Sequence, residues 1–216
     1  MEILFENERY WVVRKPVGIL SEQDGGRGLA DLLATQNDGY AGVIHRLDRE
    51  VSGLILYAKT PNEAARLSEL AREGSLKKEY LAAVAGVLEA ETGELSDLLY
   101  YDRARNKVFP VERERRGVKK AVLRYRVENT AEDTGIGKIS LLSIEPVTGR
   151  THQIRVQFAS RKHPILGDRR YGGPSLPAGI GQKGILLACR KISFPDGNEI
   201  REFSIAPEWK TLVFPT

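Results

Sequence analysis

A single carboxylate stands among cations where the chain could do chemistry: His45-Arg46-Leu47-Asp48, running on to Ser52-Gly53-Leu54. Far along the chain a second stretch, Gly149-Arg150-Thr151-His152-Gln153-Ile154-Arg155, supplies two more arginines. A carboxylate is a competent nucleophile only when it is ionised and positioned, and neighbouring guanidinium groups favour the charged form. Two distant basic motifs around one Asp suggest a carboxylate held ionised in a phosphate-binding cleft. For an isolated Asp before a strand, a turn or cap role is the plainer reading; the second motif argues against it. Arg46 lies two residues before Asp48, so in an extended segment the two side chains project the same way. His45, beside apolar residues, reads as a packed structural histidine.

The elements that must hold these residues follow from periodicity and punctuation. Residues 3–5 and 9–14 read as a hairpin around Asn7-Glu8, and 28–35 as a short helix. A strand over 53–59 leads into Thr60-Pro61-Asn62-Glu63, a capping box with proline at the first helical position. That helix is predicted to run to about Glu73, burying Ala64, Leu67, Leu70 and Ala71, with Gly74 ending it. Strands are expected over 79–88, 118–128 and 138–147, and a helix over 151–161 with Ile154 and Phe158 inward. Within 118–128, Leu123, Tyr125 and Val127 alternate with Arg124 and Arg126, giving one apolar and one cationic face. A last hairpin, 185–194 with 199–205, turns at Pro195-Asp196-Gly197-Asn198. Strands outnumber helices and several are joined by short turns. The fold class is therefore α+β, with a mixed, mostly antiparallel central sheet and flanking helices around a catalytic cleft.

The 216 residues are 41% hydrophobic and 29% charged, ordinary for a globular protein, and read as one domain. No apolar run reaches the ~20 residues needed to cross a bilayer. The first ten residues carry acids where a signal peptide would be basic. A cytoplasmic, membrane-free protein is expected. The single cysteine, Cys189, supports no intramolecular disulfide and no cysteine-based metal cage. Charge is uneven: residues 1–100 hold 11 Lys/Arg against 17 Asp/Glu, while residues 101–130 hold 10 against 4. Such asymmetry permits a polyanionic partner without proving one. The basic segment 103–126, with Arg113, Arg115, Arg116, Lys119 and Lys120, is the natural cradle for a phosphate tract.

Four segments together, KPVG at 15–18, HRLDREVSGLILYAKT at 45–60, KKEY at 77–80 and GRTHQIRVQFASRKHPILGDRRYGG at 149–173, resemble the RluA-type RNA pseudouridine synthases. The resemblance spans roughly residues 5–205, with the motifs in the family's order, far more specific than any one motif. It implies the pseudouridine synthase fold and a cofactor-free, metal-free isomerase, expected as a monomer, acting on structured ribosomal or transfer RNA. It implies Asp48 as the catalytic nucleophile and Arg155 as the basic residue paired with it. Arg150 is the rival for that pairing and is otherwise assigned to backbone phosphate. Tyr80 matches the tyrosine on which the extruded uracil stacks. Arg46 is placed to occupy the space the uridine leaves in the RNA stack. Leu54 and Ile154 line the same pocket, although core packing explains both equally well. The chain starts directly at the catalytic domain, with no small N-terminal RNA-binding domain expected. Two departures stand out: Val51 where the family usually has Thr, and Gln157 where His is common.

Rival readings are weaker. A carboxylate-dependent nucleoside glycosidase would need two carboxylates flanking the bond, whereas the motifs offer one Asp amid arginines. A zinc deaminase lacks its His/Cys/Cys signature here. An RNA-binding or remodelling protein without catalysis would have no use for Asp48, Arg155 and Tyr80 together.

Overall fold

The computed structural model describes residues 1–133, 135–176, 180 and 184–214. The elements, in chain order, are β1 (Glu2–Glu6), β2 (Tyr10–Lys15), α1 (Leu29–Ala34), β3 (Gly42–Val43), β4 (Ser52–Ala58), α2 (Pro61–Arg72), β5 (Lys77–Ala85), β6 (Thr92–Asp102), β7 (Lys107–Val111), β8 (Val118–Asp133), β9 (Gly137–Pro146), α3 (Gln153–Ala159), β10 (Leu187–Asp196), β11 (Glu199–Ser204) and α4 (Trp209–Val213). A one-turn 3-10 helix spans Arg169–Tyr171. The α+β class holds, and the strands are mostly antiparallel. The chain divides into two compact units, Met1–Glu79 with Ala188–Pro207, and Tyr80–Leu187 with Glu208–Thr216.

In the first unit β2 lies between β1 and β4, both antiparallel to it, while β10 pairs with β4 in parallel and carries β11 on its other side. β2 and β4 carry aromatic and β-branched residues that favour a pleated, buried surface. Trp11, Val13, Ile55 and Tyr57 from these strands close over Leu29, Ala30 and Leu33 of α1. Gly53 has φ +120, and a Cβ there would collide with the backbone of its β10 partner Cys189. Only glycine lets the two strands approach this closely.

α2 begins where expected: Thr60 accepts a hydrogen bond from the Glu63 N–H at 3.2 Å, and Pro61 follows. The reciprocal half of the capping box is not made. Glu63 forks instead onto Arg66, at 2.9 and 2.6 Å, and the same guanidinium reaches the Pro195 carbonyl and Asp196. A bidentate charged pair is stronger than a bond to one backbone amide, so the carboxylate turns outward from its cap. Leu67 is the fully buried residue of the helix, while Ala64, Leu70 and Ala71 are only partly buried.

In the second unit β5, β9, β8, β6 and β7 follow one another, every pair antiparallel. β6 and β7 were not expected from the sequence; β7 lies within the stretch 103–126, read there as basic, and no element was assigned to 92–102. Leu99 of β6 and Val108 of β7, with Ala121 of β8, pack on Val156 of α3. α3 is shorter than the predicted 151–161 because His152, just before it, sits in the left-handed region at φ 51.

Candidate active site

The segment 45–48 alternates as an extended strand should: His45 and Leu47 are buried, while Arg46 is exposed and Asp48 half-buried. Period-two alternation puts Arg46 and Asp48 on the accessible side. The segment is held by the loop that follows β2. The fully buried Ser21 hydroxyl accepts from the Leu47 N–H at 3.0 Å and donates to the Leu47 carbonyl at 2.9 Å. Ser21 is itself anchored by the Tyr57 hydroxyl, which donates to its carbonyl at 2.7 Å. After Asp48 the chain turns, with the Val51 N–H donating to the Asp48 carbonyl at 3.0 Å. Val51 is 3% exposed, so the apolar side chain that stands where the family usually has Thr is out of water.

Lys15 closes the turn from below. Its ammonium is fully buried and donates to the carbonyls of Pro16, Ile19 and Arg49 at 3.0, 2.8 and 3.4 Å. Burial pulls it down to about 8, opposed by attraction from Asp48 and Glu50. Gly18 adds a backbone bond to the same Arg49 carbonyl at 2.8 Å. Lys15→Met should therefore slow any chemistry at Asp48 about tenfold, the scale of one or two lost charge-assisted hydrogen bonds. Single-turnover rates with saturating protein would measure it, and an unchanged rate would dismiss the brace.

Arg46 is ion-paired with Glu22, and Arg49 with Asp24 at 3.3 Å, so both guanidiniums are tied to the Ser21 loop. Asp31 of α1 in turn caps that loop, accepting from the N–H groups of Asp24, Gly26 and Gly28 at 2.6, 3.1 and 2.9 Å. These backbone bonds hold the Asp31 carboxyl below its usual range. His45 is buried, its Nε2 accepting from the Leu56 N–H at 3.2 Å, while its Nδ1 has no partner. That is the structural histidine expected. Leu54 is 0% exposed and belongs to the core of β4; it offers a ligand no surface.

In the second unit Arg155 is 2% exposed on α3 and makes a bidentate bridge to Asp168, Nε to Oδ2 at 2.7 Å and NH2 to Oδ1 at 2.9 Å. Its guanidinium also lies 5.3 Å from the centre of the Tyr171 ring. Ile154 beside it is 6% exposed. Tyr80 is on β5 opposite Ile144 and is 9% exposed. Arg150 is exposed, its Nε donating to the Lys120 carbonyl at 3.0 Å. Gln153 pins this loop to β8, accepting from the Arg150 N–H at 3.0 Å and donating to the Val122 carbonyl at 3.0 Å. Gln157 is fully buried and donates to Asp97 at 2.7 Å, which also holds Arg161. Arg113, Arg115, Arg116, Lys119 and Lys120 are all exposed, and Arg115 lies 4.8 Å over the Tyr100 ring.

The family model described as RNA pseudouridylate synthase matches residues 9–160, which takes in the Asp48 segment, Tyr80 and Arg155. The chain belongs to the RNA pseudouridylate synthase family. Among curated relatives of this chain, the uncharacterized RNA pseudouridine synthase YhcT of Bacillus subtilis is 36% identical over 188 residues, 81% of this chain and 59% of its own. Ribosomal large subunit pseudouridine synthase C of Buchnera aphidicola is 32% identical over 182 residues, 82% of this chain and 56% of its own. The chain thus spans less than two thirds of the length of these relatives. The human RNA pseudouridylate synthase domain containing 4 protein has the same fold, with a TM-score of 0.76 at 24% identity, over 96% of this chain and 89% of that one.

Lys15, Ser21 and Asp31 in the first unit and Asp168 in the second carry structural duties that sequence reasoning did not assign. Lys15 and Asp168 do lie inside the KPVG and GDRRYGG stretches, so a signal existed for them. Ser21 and Asp31 have none, because a clamp made through backbone groups leaves no pattern of residue types.

Proposed function

We propose that this chain isomerises uridine to pseudouridine in RNA, with Asp48 as the nucleophile. The reaction breaks the N1–C1′ bond of an extruded uridine and forms the C5–C1′ bond. The proton on C5 is lost and N1 gains one, so no water, electron or cofactor is consumed. Arg155 pairs with Asp48, Tyr80 stacks on the uracil, and Ile154 lines the pocket beside them. Arg46 leaves Glu22 to fill the gap in the RNA stack. Arg150 and the exposed cations Arg113, Arg115, Arg116, Lys119 and Lys120 take backbone phosphates of ribosomal or transfer RNA.

The observation that carries this reading is the partly exposed Asp48, on a segment whose backbone is clamped on both sides by Ser21 and Val51. A clamped segment with a half-exposed acid fits a nucleophile better than a turn cap. The test is to incubate the protein with total RNA from a strain lacking it and to map pseudouridine. Appearance of pseudouridine at a defined uridine supports the reading; free uracil, or no change at any position, rejects it. The phosphate assignment has its own check. Replacing Lys119 and Lys120 by Ala should weaken RNA binding at every sequence tested and lower the slope of log affinity against log salt by about 1–2, as filter binding would show.

A further inference from the structure

The Arg155 guanidinium is built into the second unit as a rigid fixture, and the groups that fix it do not belong to the reacting set. We infer that Asp168 and Tyr171 are positioning residues that aim Arg155 for its role at Asp48. The inference rests on the proposed pairing of Arg155 with Asp48.

Asp168 and Arg155 are 1% and 2% exposed, and the carboxylate takes the Nε–NH2 edge of the guanidinium in a two-point fork. A fork of this kind fixes both the plane and the direction of the guanidinium, which a single contact does not. Tyr171 supplies the second constraint. Its ring lies 5.3 Å from the Arg155 guanidinium and 5.3 Å from the Lys107 ammonium. Its hydroxyl accepts from the Val108 N–H at 2.9 Å and lies 2.9 Å from His152 Nδ1. The tyrosine therefore ties Arg155 to β7 and to the residue that opens α3.

His152 reinforces the argument. It is one of four non-glycine residues with positive φ among those described. A left-handed conformation costs a non-glycine residue free energy and persists where its surroundings over-determine it. Here the His152 ring also meets Tyr171 edge-on, with ring centres 5.7 Å apart. The backbone bend at His152 starts α3 at Gln153, and Arg155 projects from the first turn. Moving Tyr171 would loosen both the guanidinium and the helix start that carries it.

The fork also sets the charge. Asp168 compensates Arg155 within its buried site, so the guanidinium can approach a second carboxylate as an oriented donor rather than as an unscreened buried cation. Asp168→Asn keeps the shape and removes that compensation.

The test uses an RNA transcript carrying the uridine mapped for wild type. Asp168→Asn is expected to lower the single-turnover rate at least tenfold while RNA affinity stays within about threefold, and Asp168→Glu to recover part of the rate. Tyr171→Phe, which removes only the hydroxyl, should lower the rate several-fold at unchanged affinity. A wild-type rate in Asp168→Asn would overturn the inference, as would rate and affinity falling together in step with thermal stability. If Asp168→Asn does not fold, Tyr171→Phe decides, and a wild-type rate there rejects the inference. Wild-type protein that forms no pseudouridine in any RNA rejects the functional reading itself, a different result from an active wild type with insensitive variants.

Discussion

Asp48→Asn should abolish pseudouridine formation, by on the order of a thousandfold or more, while the protein stays folded and still binds RNA. The substitution is isosteric, so what changes is the charge and the ability of an oxygen to add to the nucleoside. Ser21 holds the Leu47 backbone, and the Asp48 carbonyl takes the Val51 N–H at 3.0 Å, backbone bonds that the substitution leaves in place. A half-exposed side chain outside the core should change stability by no more than about 1 kcal/mol when replaced this way. Single-turnover conversion, RNA affinity and the thermal midpoint measured on one preparation separate the three quantities. Turnover near the wild-type rate would remove Asp48 from the chemistry and assign the nucleophile's role to another group. Loss of turnover together with loss of folding would instead make Asp48 a structural residue.

The second large effect is acid sensitivity written into the neighbouring histidine. Burial pushes His45 down to about 3, with the Lys78 ammonium adding to the push. In the unfolded chain the ring titrates at its ordinary value near 6.5, so between these limits the unfolded state binds the extra proton and the native state does not. Stability therefore rises with pH across this window. The neutral ring's contribution is complete above about 6.5 and is lost progressively as the pH falls toward 3. At pH 5 the loss should amount to about 2 kcal/mol. Denaturant unfolding at pH 7 and pH 5 would measure it. His45→Gln, which keeps an acceptor for the Leu56 N–H, should flatten the difference. An equal slope in the variant would assign the acid sensitivity to other groups. Because Arg46, Leu47 and Asp48 follow His45 directly, activity should fail with the fold at low pH rather than before it.

How far the residues alone carried the reading depends on the range of the forces involved. Alternation in 45–48, the strand at β4, the proline-initiated start of α2 and the last hairpin are local matters. Side-chain period, φ restriction and turn chemistry act over a few residues and leave a readable pattern. The family, and with it the Asp proposed to react, was legible for the same reason, since four short motifs keep their order along the chain. β6 and β7 were missed because their outward faces are polar and their burial comes from β8 and α3, which no window along the chain contains.

Partner choice was the other matter beyond reach. Glu63 looked committed to Thr60 and went to Arg66, because Asp196, brought up by β10, holds that arginine close. Arg155 looked like an arginine awaiting one carboxylate and has a buried fork to Asp168. Lys15, read only as part of the KPVG stretch, lies wholly buried under the turn after Asp48. Residue types and spacing thus pointed to the groups proposed to react and to the short elements that carry them. Which charge meets which, and which polar groups are sealed from water, was settled by folding, because Coulomb and desolvation energies depend on distance in space and on burial, quantities that separation along the chain does not contain.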